Sequence, residues 1–222
     1  MIEKNDVSAQ NQVKKEHYVE VFSNSGKTKV LFIGNSITRH EPKPEIGWDY
    51  DWGMAASSKE KDYVHVAVKL IEEKIGKIDY CVANCGEWEM NYFDDKLLQE
   101  WKIARDFNAD IVVIRLGENI WNARANFETY PLIPYFKKMV EYFTPNPTAK
   151  VIITGLFWSN DEIENDIKSV ATDLQVTFLP LNDLGSSDEN MALGKFWHSG
   201  VAIHPSDLGM AKIAERIVSV LK

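Results

Sequence analysis

The sequence predicts an α/β domain in which a five-stranded parallel sheet is covered by helices on both faces. Three observations predict it. Five short apolar runs, Lys29 to Ile33, Tyr80 to Ala83, Ile111 to Arg115, Val151 to Thr154 and Val176 to Leu179, show no polar alternation and read as strands buried on both sides. Longer segments with apolar residues at helical spacing separate these runs. At 222 residues and 45% hydrophobic content, the chain suits one domain with a core sufficient for a three-layer α/β/α arrangement.

The elements follow in order. Residues 1–17 are polar and aperiodic and read as a flexible lead-in, leaving residues 18–222 as the single folded domain. After the first strand comes a loop from Arg39 to Ser58 that holds Pro42, Pro44, Gly47 and Gly53 with Trp48, Tyr50 and Trp52. Loops of this length inside a compact domain are usually functional. Val64, Ala67, Val68, Ile71 and Ile75 then mark a helix that Gly76 ends. Leu97, Leu98, Trp101, Ala104 and Phe107 mark a second helix, with Trp101 in the core. Ile133, Phe136, Val140 and Phe143 mark a third, stopped by Pro145. Ser159, Asn160 and Asp161 open a fourth along Ile163, Ile167, Val170 and Leu174, and a last helix runs from about Asp207 to Leu221. Alternation of this kind implies right-handed crossovers, and sheets so built bind ligands at the carboxyl ends of their strands.

Charge and composition exclude several functions. A net charge of −8 with no basic stripe opposes nucleic-acid binding. No apolar run approaches the roughly 18 residues of a membrane span, and the opening residues contain no signal-peptide apolar region. As written, the chain reads as cytoplasmic; an export signal removed before Met1 would make it exported. Cys81 and Cys85 lie too far apart on an extended segment to pair, and their surroundings lack further zinc ligands, so they read as buried or free thiols. No glycine-rich phosphate loop comes after the first strand, which argues against a nucleotide binder.

Chemistry is expected at the strand ends. Val30-Leu-Phe-Ile-Gly34-Asn-Ser36-Ile-Thr38 places a serine just past a buried strand, where it is either a nucleophile or a turn residue capping the next helix. A serine nucleophile requires a base, and His204, in Ala202-Ile-His204-Pro-Ser206-Asp207 before the last helix, occupies the most constrained setting of the five histidines. Asn84-Cys-Gly86-Glu and Leu116-Gly117-Glu118-Asn119 come after the second and third strands, and each offers an N–H that an oxyanion could use.

Together, Gly34-Asn35-Ser36, Gly86, Gly117-Glu118-Asn119 and His204-Pro205 resemble the four blocks of the SGNH (GDSL-type) hydrolases, in order and spread, from about residue 29 to the final helix. The resemblance implies a flavodoxin-like sandwich, Ser36 as nucleophile, His204 as general base, and an oxyanion hole made of the Ser36 N–H, the Gly86 N–H and the Asn119 side-chain amide. Three positions depart from the pattern. Asn35 stands for the usual Asp of the first block, Ile120 for the Asp that often follows the third-block Asn, and Val201 for the Asp of the final D-x-x-H. The last departure leaves three alternatives: a Ser-His dyad, an acid from elsewhere (Glu118, Asp188, Glu189 or Asp207), or an inactive descendant.

Seven tryptophans add a candidate sugar-binding surface, since Trp48, Trp52, Trp88 and Trp121 fall in loops after strand ends. Asp49, Asp51, Glu87 and Glu89 read as solvated loop charge rather than a metal site. The sequence therefore points to an esterase acting on a small acyl ester. Acetyl on a carbohydrate is the form the resemblance favours, through an acyl-Ser36 intermediate and with no metal or cofactor. The alternative is a non-catalytic carbohydrate-binding protein that has kept the fold and lost the acid.

Overall fold

A computed structural model describes residues 19–221, so the lead-in expected over residues 1–17 lies outside the described residues. The sheet has six strands in the order β1-β3-β2-β4-β5-β6. These are β1 (Val19–Phe22), β2 (Thr28–Gly34), β3 (Ile78–Asn84), β4 (Ile111–Arg115), β5 (Lys150–Thr154) and β6 (Thr177–Leu179). The last five pair in parallel and match the five expected runs to within two residues at each end. β1 is an addition: it pairs antiparallel with β3 along the sheet edge. Its four residues are half-buried or exposed, so they lack the apolar run that marks the central strands.

The central strands are buried on both sides because their side chains alternate between two cores. Leu31 and Ile33 face one core, with Trp88, Trp101, Phe136 and Ile163. Val30 and Phe32 face the other, with Val64, Ile71, Ile213 and Ile217. That second layer is the helix pair α1 (Tyr63–Ile75) and α7 (Asp207–Ser219). The first layer is built by α2 (Gly86–Met90), α3 (Lys102–Asp106), α4 (Leu132–Phe143) and α5 (Asp161–Asp173), and α6 (Ser199–Ala202) completes the helices just before His204. Caps account for the helix starts: Asp62, Asn160 and Ser206 each accept from a backbone N–H three residues on, opening α1, α5 and α7. The segment expected as one helix from Leu97 to Phe107 is split, with a 3-10 helix over Leu97–Trp101 running into α3 while Leu97, Leu98, Trp101 and Ala104 stay buried.

The chain crosses from β2 to β3 on one side and returns to β4 on the other, so the strand order reverses at β2. This is the switch point where the loops after adjacent strands diverge and leave a crevice. Register puts Gly34 beside both Asn84 and Arg115 at the carboxyl edge. The segments carrying Ser36, Gly86 and Asn119 leave the sheet from that line. Loop 39–58 folds back over the same edge, and Trp48, Met54 and Ala55 form a small apolar cluster with Ala192 and Val201. Both cysteines are buried and free, and burial pushes the Cys81 thiol up to about 12. Among the described residues, no helix is long and apolar enough to cross a membrane.

Candidate active site

Ser36 sits in a tight turn that β2 delivers to the sheet edge. Thr38 and Arg39 both donate backbone N–H groups to the Asn35 carbonyl, and the Asn35 side-chain oxygen accepts from Ile37 N at 3.2 Å. Gly34 is required by close approach, since a Cβ there would stand 1.8 Å from Thr38 Oγ1 and 2.9 Å from the Arg115 carbonyl oxygen. The turn leaves Ser36 half-buried and facing a cavity of about 720 Å³.

His204 meets the serine from the opposite wall. Ser36 Oγ and His204 Nε2 are 2.8 Å apart. His204 Nδ1 lies 2.6 Å from the Gly200 carbonyl oxygen, which can only accept, so the ring proton belongs on Nδ1 and Nε2 is left to accept from the serine hydroxyl. Burial lowers the His204 pKa to about 4; the Gly200 bond opposes this, and the charges of His40 and Arg115 reinforce it. The Trp158 ring stands edge-on to the imidazole with centroids 5.1 Å apart. His204 is therefore a neutral imidazole held in one tautomer.

The three donors expected for an oxyanion hole are disposed unequally. Ser36 N–H has no acceptor among the described residues. Gly86 N–H is engaged, donating to the Asn84 side-chain oxygen at 2.8 Å. Asn119 borders the cavity, and its Nδ2 donates to Glu89 Oε2 at 2.5 Å, leaving the second hydrogen of that amide for a ligand. Two free donors thus stand where three were expected.

None of the four proposed acids meets His204. Glu118 pairs with Arg115 and accepts from Asn35 Nδ2 at 2.7 Å and from Phe157 N at 3.1 Å. Glu189 pairs with Lys212 at 2.8 Å, and Asp188 opens the 3-10 turn beside it. Asp207 tethers loop 39–58 through Ser57 N at 2.8 Å and Ser57 Oγ at 2.7 Å. Val201 is fully buried in the apolar cluster under that loop. The partner of His204 Nδ1 is the Gly200 carbonyl rather than a carboxylate.

The tryptophan surface requires correction. Trp48 and Trp88 are buried in the core, Trp52 is partly buried with Tyr50 stacked on it, and Trp121 is exposed under the Arg124 guanidinium. None of the four lines the cavity. The aromatic residues of loop 39–58 serve its packing onto the His204 segment, which is the commoner use of buried tryptophan. Glu89 also departs from expectation: it is fully buried rather than solvated. It accepts from Gly117 N at 2.5 Å, Asn35 Nδ2 at 3.1 Å and Asn119 Nδ2. Burial pushes its pKa up to about 7, with the Glu118 charge acting in the same direction and the N–H donors against it.

Several residues escaped the sequence reading. Arg115 left a signal, as the single charge ending the apolar run Ile111–Arg115 implies a buried anionic partner. Gly200 left none, since a carbonyl acceptor can belong to any residue type. Glu89 lies three residues after Gly86, between Trp88 and Met90, an apolar setting that marks it as unlike an ordinary loop charge. His40 and His198 also border the cavity. Among the described residues, no group of three His, Cys, Asp or Glu side chains is placed to hold a metal ion.

No protein-family model matches the sequence, and no curated protein is similar to it in sequence. Solved structures are similar in fold. A protein assigned to the GDSL-like lipases from Bacteroides ovatus ATCC 8483 superposes with a TM-score of 0.56 at 15% identity, over 88% of this chain and 99% of its own. The lipase/acylhydrolase from Enterococcus faecalis gives 0.51 at 16% identity, over 87% and 94%. A two-domain esterase active on acetylated mannans gives 0.52 at 15% identity, over 87% of this chain and 48% of its own. The coverage and TM-scores agree across these comparisons, and the chain has the α/β/α fold seen in the GDSL-like lipases and acylhydrolases.

Proposed function

We propose that the protein is an SGNH-type serine esterase that works with a Ser36–His204 dyad on a small acyl ester. The observation that carries this reading is the 2.8 Å contact between Ser36 Oγ and a His204 Nε2 whose tautomer the Gly200 carbonyl fixes. In the acylation step Ser36 Oγ attacks the ester carbonyl while His204 Nε2 takes the hydroxyl proton. The proton then passes to the departing alcohol as the tetrahedral intermediate collapses to acyl-Ser36. Water deacylates the serine by the same route in reverse. Ser36 N–H and the Asn119 amide receive the oxyanion. Gly86 N–H can join them only by giving up its bond to Asn84.

Acetyl esters of carbohydrates are the first substrates to test. Support comes from the block resemblance and from the esterase active on acetylated mannans among the fold neighbours. The absence of the four tryptophans from the cavity wall removes the aromatic platform that favoured a carbohydrate binder. The test is a chromogenic ester panel of rising acyl length alongside labelling by a fluorophosphonate, each with wild type and Ser36→Ala. Acetyl turnover and labelling that both vanish in Ser36→Ala are the expected result. Labelling that persists in the variant, or no turnover of any ester by a protein that labels, overturns the reading.

A further inference from the structure

We infer that Glu89 is a positioning residue for the Asn119 amide, holding its NH₂ toward the reacting oxygen, in a buried relay that Asn35 and Arg115 complete. The inference rests on the esterase reading for its kinetic consequence but not for its geometry. An asparagine amide has two nearly isosteric ends, and only one can donate to an oxyanion. A carboxylate accepts and cannot donate, so Glu89 Oε2 at 2.5 Å from Asn119 Nδ2 selects the NH₂ end and takes one of its hydrogens. Glu89 Oε1 also receives Gly117 N at 2.5 Å and Asn119 N at 3.4 Å, which fixes the backbone carrying that side chain.

The relay explains why the first-block Asp is replaced here. Asn35 Nδ2 donates to Glu89 Oε1 at 3.1 Å and to Glu118 Oε2 at 2.7 Å, while its Oδ1 accepts from Arg115 Nη1 at 3.2 Å. An aspartate could make the last of these bonds but neither of the first two. It would also add a carboxylate beside Glu89 and Glu118, whose charges already disfavour each other. Glu89, Asn35 and Arg115 are all essentially excluded from bulk solvent, which makes each of these hydrogen bonds costly to lose.

The test is a double-mutant cycle with a spectroscopic arm. Glu89→Gln should lower kcat for a small acyl ester ten- to a hundredfold with KM changed less than threefold, because an amide facing Asn119 no longer selects one end of it. In the Asn119→Ala background the same substitution should change kcat less than threefold, since its target is gone. Equal losses in both backgrounds, or a loss confined to KM, overturn the inference. In the unmodified protein, one Asn119 side-chain proton, identified by its disappearance in Asn119→Ala, should resonate downfield and exchange slowly with solvent. Two fast-exchanging protons of ordinary shift would overturn the inference even if Glu89→Gln fails to fold. Because this arm needs no turnover, absence of esterase activity would strike the proposed function while leaving the positioning of Asn119 separately decided.

Discussion

The His204 imidazole is oriented by the carbonyl oxygen of Gly200, four residues earlier in the chain and 2.6 Å from Nδ1. A carbonyl can fix the tautomer as well as a carboxylate can, but it brings no full negative charge to steady the imidazolium that the proposed proton transfer would form. Burial then acts unopposed by an anion, which is why the histidine lies well below its ordinary range, at about 4.

A proton NMR titration should find His204 neutral at pH 5.5, where a histidine near 6.5 would be about nine-tenths protonated. Stability changes with a definite sign. The unfolded chain binds the proton at about 6.5 and the folded chain only at about 4, so the His204 contribution is complete above 6.5 and is lost as pH falls toward 4. The shift corresponds to about 3–4 kcal/mol, and His204→Gln should flatten that part of the pH–stability curve. A midpoint at or above 6.5 would contradict the burial argument.

If the dyad works alone, no carboxylate serves as a hidden third member. Alanine at Asp188, Glu189 or Asp207 should leave kcat within about threefold of wild type, since Glu189 contacts Lys212, Asp207 contacts Ser57 and Lys61, Asp188 opens a 3-10 turn, and the hydrogen-bond partners of the His204 ring are Ser36 and Gly200. Glu118→Ala is expected to act differently, by stranding Arg115, and to lower thermal stability more than activity. A hundredfold loss of kcat in any of the first three, with the fold intact, would identify a missing acid.

Restoring the aspartate of D-x-x-H should fail. Val201 is fully buried against Trp48, Met54, Ala55 and Ala192, and a carboxylate there would meet an apolar cluster. Val201→Asp should destabilise the protein by about 3–5 kcal/mol in urea unfolding, as expected for an uncompensated buried charge. Increased kcat with unchanged stability would show that the ring can turn from Gly200 to the new acid.

The Asn119 amide gives a transition-state prediction. Asn119→Ala should lower kcat by about 10²–10³ with little change in KM, because the donor acts mainly on the developing oxyanion. Glu89 adds a pH signature. With its carboxyl raised to about 7 by burial and the facing Glu118, and with Arg115 as the near cation of the network, kcat should rise through about pH 7 as the group ionises. In Asn119→Ala that limb should disappear, and a profile identical to wild type would separate Glu89 from the amide.

The sequence made the sheet legible because a strand buried on both faces must be apolar throughout, as Val30 to Ile33 are. The edge strand β1 escaped because half-exposed residues leave no such run. The meeting of Ser36 and His204 at one cavity bordered by Asn119 could be anticipated because these polar side chains sit at strand or helix ends. Gly200 could not, as its contribution is a backbone atom. The tryptophans misled because the identity of a loop aromatic does not say which side of the loop faces the core; Trp48 turned inward, where it buries more apolar surface.

The same limit of side-chain identity makes Asn35→Asp, a change of one amide to one carboxylate, the sharpest stability test of the buried network. Asn35 donates to both Glu89 and Glu118. Asn35→Ala removes those bonds and should lose about 1–3 kcal/mol, the penalty for leaving buried polar groups unpaired. Asn35→Asp should lose more, about 3–5 kcal/mol at pH 7.5, because it replaces two donated hydrogens with a third anion near the single Arg115 guanidinium. The extra loss should shrink as pH falls. A carboxyl crowded by two others has a folded pKa above its unfolded value of about 4, so the deficit fades once the pH falls below the folded value and is gone below the unfolded one. Urea unfolding of both variants at pH 7.5 and pH 5 distinguishes the outcomes. If Asn35→Asp is no worse than Asn35→Ala at pH 7.5, or if its excess loss is independent of pH, the network does not depend on the two hydrogens that Asn35 supplies.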